Sequence, residues 1–126
     1  CSTTDKVTVN GGLVGPSVRC EPTQRTAAYA EYALARNAIA FEALVGTDDR
    51  QGTGNAEVLV FGDGRELGKV AVGLGRAAPL RADVRGVLRL RIEVRTGDKD
   101  TAPDVVLGDA KLLGEAAGLD VIAAAR

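Results

Sequence analysis

The chain has 126 residues, 45% hydrophobic and 26% charged, with a net charge of −1 from 16 basic and 17 acidic groups, which fits one globular domain and argues against a nucleic-acid partner. It contains no His, Met or Trp, and that excludes imidazole acid–base catalysis, Ser-His-Asp and Cys-His nucleophiles, and zinc sites built on imidazole. No apolar run approaches the ~20 residues of a membrane span, and the opening residues lack the basic region and apolar core of a signal peptide.

In chain order, residues 5–10 alternate, with Val7 and Val9 on one face, and stop at Gly11-Gly12, which predicts a short strand. Residues 12–26 carry Gly15, Pro16 and Pro22 and read as an irregular connection. Residues 27–45 read two ways. Ala richness and the spacing of Leu34, Ala38, Phe41 and Val45 suit a helix. Alternation of Ile39, Phe41, Ala43 and Val45 suits the second of two strands joined by a turn at Arg36-Asn37.

The next segments are less ambiguous. Residues 56–61 and 66–72 flank Asp63-Gly64, a strong hairpin signal, and residues 73–79 form a loop. Residues 84–94 are the clearest strand, with Leu88, Leu90, Ile92 and Val94 on one face and Arg89, Arg91, Glu93 and Arg95 on the other. A polar loop over 97–103 precedes an apolar run at 105–107 and the segment 109–113, and the Ala-rich tail 115–126 reads as helical or frayed. Short strands between Gly-marked turns predict an all-β sandwich or barrel of about eight strands, one domain over 1–126 with its core at about 5–114. Cys1 and Cys20 are an even pair but not C-x-x-C. They suit a disulfide in an oxidising setting, two free thiols, or a lipidated Cys1.

Four pieces occur in order: Tyr32-Ala-Leu34 with Phe41-Glu-Ala43-Leu-Val-Gly46-Thr-Asp48-Asp49, then Val58-Leu-Val60-Phe61-Gly-Asp63-Gly64-Arg65-Glu-Leu67, then Val84-Arg-Gly86-Val-Leu88-Arg-Leu90-Arg-Ile-Glu-Val94, then Asp104 followed by Gly108-Asp109-Ala110-Lys-Leu112. Together, over Tyr32 to Leu113, they resemble the NPCBM/NEW2 family, related to carbohydrate-binding module family 51. The resemblance implies a jelly-roll-like β-sandwich and strands at 32–34 and 38–45. It also implies a non-catalytic extracellular or cell-surface module that binds carbohydrate, needs no cofactor and is often carried by a larger protein with further domains. The same scaffold without a sugar site would be a structural or protein-interaction domain. Two features depart from the family pattern: Leu107 stands where the family closes with Trp, and the family's loop His is missing.

Sugar sites use aromatic faces as platforms for the apolar side of a pyranose ring. With Phe41 and Phe61 assigned to the core, only Tyr29 and Tyr32 could serve as platforms, and the expected contacts are Tyr32 and the rim segment Asp48-Asp49-Arg50, whose carboxylates would accept hydrogen bonds from hydroxyls or ligate Ca²⁺. The plainer reading of that segment is a turn in which Asp bonds its own backbone. Asp98, Asp100 and Asp104 have a spacing that could place oxygens around Ca²⁺, against a plain solvated loop. Arg89, Arg91 and Arg95 form either a positive strip for an acidic partner or a solvent face paired with neighbouring carboxylates. Asp63 and Asp109 read as structural, one in turn geometry and one in a buried or capping hydrogen bond.

Overall fold

The computed structural model describes residues 1–4, 7–9, 12–14, 17–22, 26–36, 38–48, 54–73, 75–96, 103–114 and 120–125. Period-two alternation dominates these segments and turns them into twelve strands: β1 (Ser2–Thr4), β2 (Val7–Val9), β3 (Gly12–Val14), β4 (Ser17–Cys20), β5 (Ala28–Ala33), β6 (Ala38–Thr47), β7 (Asn55–Gly62), β8 (Arg65–Gly73), β9 (Ala78–Asp83), β10 (Arg89–Arg95), β11 (Val105–Gly114) and β12 (Asp120–Ala125). Sheet one runs β1-β4-β11-β6-β9, sheet two runs β12-β5-β10-β7-β8, and β2 with β3 makes a separate hairpin. Neighbouring strands are antiparallel throughout. This is the all-β, jelly-roll-like sandwich expected, with more strands than the sequence predicts.

The core lies between the two sheets and is aliphatic. Sheet one contributes Phe41, Val45, Leu80, Val105 and Leu107, and sheet two contributes Val58, Val60, Val72, Leu90, Ile92 and Val94, all buried. Leu107, at the position of the family's Trp, is fully buried there. The predicted hairpin forms at Asp63 (φ 51°) and Gly64 (φ 84°), the two positive-φ positions that such a two-residue turn requires. The ambiguous stretch is β5 and β6, so burial of alternate faces outweighs helix propensity of a few tenths of a kcal/mol per residue.

Several expectations need correction. β5 and β6 do not pair with each other. They enter opposite sheets, and the crossing is tied to the 84–88 loop by Leu34 N–H donating to Leu88 O (2.8 Å) and Arg36 N–H to Val87 O (3.1 Å). Leu88 is exposed rather than in the core, because β10 begins at Arg89 after a turn at Gly86 (φ 77°) that buries Val87 in its place. The 12–26 connection contains β3 and β4, and the loop expected to run to residue 79 ends where β9 begins, at Ala78. The tail is not helical where described: β12 pairs with β5 and satisfies backbone groups that an open edge would leave bare. Asp109 is exposed with φ 49°, at the bulge between Gly108 and Lys111, so it shapes a strand irregularity instead of making a buried bond.

Candidate functional site

Strand register brings Cys20, Thr47 and Val105 side by side, so β4 and β6 end, and β11 begins, at one rim of the sandwich. The Cys1–Cys20 disulfide fastens the N-terminus there, since β1 pairs Ser2 with Arg19. Arg19 spans the rim: one guanidinium nitrogen donates to Asp48 Oδ2 and the other to Asp104 Oδ2 at 2.6 Å. The Asp48 backbone N–H donates to Asp104 O at 2.9 Å. One guanidinium therefore holds two carboxylates that arrive from distant parts of the chain. Burial opposes the charge on Arg19, but its hydrogen bonds to Asp48 and Asp104 outweigh that and hold its pKa above the ordinary value. Burial raises the pKa of Asp104, and Arg19, shared with Asp48, recovers only part of that shift.

The residues expected to meet a ligand fall into three groups. Tyr32 is inward-facing and 7% exposed, packed in the core, where burial raises its phenol pKa. Asp48 is 1% exposed, inside the clamp. Asp48 in this position supports the rim, whereas Tyr32 pairs in register with Leu90, itself beside Gly62, and so lies toward the Asp63-Gly64 turn and not at the rim. Asp49 and Arg50, and the Ca²⁺ candidates Asp98 and Asp100, lie outside the described residues. Asp104 is described and is engaged by Arg19. Among the described residues, no group of three or more His, Cys, Asp or Glu is placed to hold a metal ion. Sequence reading missed Arg19. Its partners lie 29 and 85 residues away, and no local pattern signals a pairing made by sheet topology.

The Arg strip lies on the outward face of sheet two. Register aligns Glu31, Arg91 and Phe61 across β5, β10 and β7, with Tyr29, Glu93 and Leu59 as the next row. Arg91 donates to Glu31 Oε1 at 2.7 Å and Glu93 Oε1 at 3.4 Å, and its guanidinium carbon lies 3.9 Å from the centre of the Tyr29 ring. Arg95 donates to Glu93 Oε2 at 2.6 Å, and Arg89 pairs with Glu31 at 3.4 Å. This is the paired solvent face, not an unbalanced positive strip. Asp63 borders the same face. Its carboxylate accepts from the backbone N–H groups of Arg89 (3.0 Å) and Leu88 (3.2 Å), which lower its pKa below the usual carboxylate value.

The sequence from 24 to 113 matches the NPCBM/NEW2 domain, and the chain belongs to that family. No curated protein matches it. Solved structures share its fold. One is the tandem CBM51 modules of Sp3GH98, the family 98 glycoside hydrolase of Streptococcus pneumoniae SP3-BS71, at 14% identity and TM-score 0.71, over 89% of this chain and 36% of that one. The chain therefore spans about a third of that structure. A CBM51 from Clostridium perfringens GH95, in complex with methyl-galactose, aligns at 18% identity and TM-score 0.70 over 87% of this chain and 80% of that one. CBM51-2 with the INT domains of C. perfringens ZmpB, in complex with GlcNAc, aligns at 16% identity and TM-score 0.64 over 87% of this chain and 25% of that one.

Proposed function

We propose that this chain is a non-catalytic, extracellular or cell-surface module that binds carbohydrate at the rim held by Arg19. Membership of the NPCBM/NEW2 family over residues 24–113 is the observation that carries the reading. The rim geometry supports it in a specific way. Asp48 is held by Arg19 and by its N–H bond to Asp104, so the end of β6 at this rim is fixed, and a preorganised surface loses less entropy on binding. Asp49 and Arg50, which follow Asp48 in the sequence, are the proposed ligand contacts, with Asp48 as the supporting residue. The proposed role asks no chemistry of the protein and no cofactor. Its carrier would be a larger protein with further domains.

A second reading, a structural or protein-interaction domain, has one observation in its favour: Ile39, Leu44 and Leu113 are large apolar side chains left 39–45% exposed. A glycan array probed at high protein density with disulfide-bonded protein separates the two. The carbohydrate reading expects a discrete set of glycans to be retained, and retention to fall sharply for a folded Asp49→Ala/Arg50→Ala variant. Folded protein that retains no glycan would overturn it.

A further inference from the structure

We propose a second carbohydrate-binding surface on the outward face of sheet two, a groove that takes a short neutral oligosaccharide with one sugar ring stacked on Phe61. The groove has a volume of about 400 Å³ and is bordered by Phe61, Glu31, Arg89, Arg91, Glu93 and Asp63. That size falls within the ~300–1,000 Å³ of small-ligand sites. It is separate from the rim: it lies on the other sheet, toward the end marked by the Asp63-Gly64 turn and the start of β10. It therefore stands whether or not the rim binds sugar.

Three observations lead to this ligand class. The first is Phe61: expected in the core, it is instead a half-buried ring on the outward face, because the alternation of β7 turns Val58 and Val60 inward and Phe61 outward, among members that are mostly polar. A ring in that setting offers apolar surface to one side of a pyranose while the surrounding groups stay wet. The second is charge. Arg89 and Arg91 face Glu31 and Glu93 in closed ion pairs, and the Asp63 carboxylate is engaged by two backbone N–H groups. The lining thus sets two guanidinium groups against three carboxylates, a net charge of −1, which gives no pull on an anion and only a weak one on a cation. Sugar hydroxyls, each donor and acceptor at once, can bond guanidinium and carboxylate edges together. The third is rigidity: Arg91 is held by two carboxylates and lies over Tyr29, so its donors are already oriented and a ligand need not order them. An extended peptide is a poor fit, because β5, β10 and β7 are paired on both sides and leave no backbone edge for strand addition.

The test is an amide-resolved NMR titration of the ¹⁵N-labelled protein with methyl β-galactoside, N-acetylglucosamine, cellobiose and glucuronate. Shifts should track together at Glu31, Phe61, Asp63 and Arg91 with at least one neutral sugar. Phe61→Ala should weaken that response about tenfold, and Phe61→Leu, which keeps apolar bulk and the fold but loses the ring face, should weaken it less. Arg81→Ala, on the outer face of sheet one, should leave it unchanged. Neutral sugars that shift only the rim, a groove that answers only glucuronate, a response indifferent to Phe61→Leu and Phe61→Ala, or no shift at tens of millimolar sugar would each overturn the proposal. A rim response without a groove response would leave the proposed function standing, and the reverse would leave only this surface.

Discussion

Two arginines do the same thing in two places, with different consequences. Arg19 holds Asp48 and Asp104 at the rim of sheet one, and Arg91 holds Glu31 and Glu93 on the outer face of sheet two. The first clamp is largely withdrawn from water, with side-chain exposures of 17%, 1% and 19% for Arg19, Asp48 and Asp104. In the second, Arg91 is 34% exposed and its carboxylates 14% and 13%. Inside a protein an uncompensated charge is costly, whereas at the surface water replaces a lost partner. The rim clamp is therefore part of the fold, and the outer clamp is a preoriented pairing whose half-exposed guanidinium a ligand can share.

That contrast sets the order of expected effects. Arg19→Ala should be the most damaging change, leaving Asp48 buried without its guanidinium at a cost of about 3–5 kcal/mol. Against a total of roughly 5–15 kcal/mol for a domain of this size, much of the folded population would be at risk, and urea unfolding would show it as a lowered midpoint. Leu90→Ala should cost about 2–5 kcal/mol by the same assay, since Leu90 is fully buried on the central strand and its loss opens a cavity. Arg91→Ala, one residue further along, should cost under about 1 kcal/mol. A loss as large as that of Leu90→Ala would mean that the outer clamp is structural after all.

Smaller effects sharpen the picture. Thr47 is buried beside the rim clamp and its hydroxyl has no hydrogen-bond partner among the described residues. Thr47→Val keeps the shape and removes that burden, so thermal melts should show it unchanged or stabilised by up to about 1 kcal/mol. Asp63 tests pH. The backbone N–H groups of Arg89 and Leu88 favour its charged form and lower its pKa in the folded state. The stabilisation it provides is present above the ordinary carboxylate pKa and is lost as pH falls through the lowered value. Asp63→Asn should melt lower than the parent protein at about pH 7, and the two melting curves should converge as pH falls below the carboxylate range.

What could be read from the sequence was local. The Asp63-Gly64 turn, the inward face Leu90-Ile92-Val94 and the extended 38–45 segment follow from turn chemistry, period two and family resemblance. The partner strands of each element did not follow. The turn after β5 reads like a hairpin, yet the chain crosses to the other sheet, and only backbone bonds to Leu88 and Val87 reveal that. Leu88 fits the alternation by its side chain and is excluded from the core by the turn at Gly86. The same limit applies to the site: Asp48 was legible as a rim residue but its burial was not, because Arg19 reaches it only after sheet one has formed.

Paired double-mutant cycles test the central contrast most directly, one for Arg19 with Asp48 and one for Arg91 with Glu31, each measured by urea unfolding at about pH 7. The account predicts a coupling of about 2–3 kcal/mol at the rim and under about 1 kcal/mol on the outer face. Equal couplings, or a larger one between Arg91 and Glu31, would contradict the view that burial alone separates a structural clamp from a surface open to ligand.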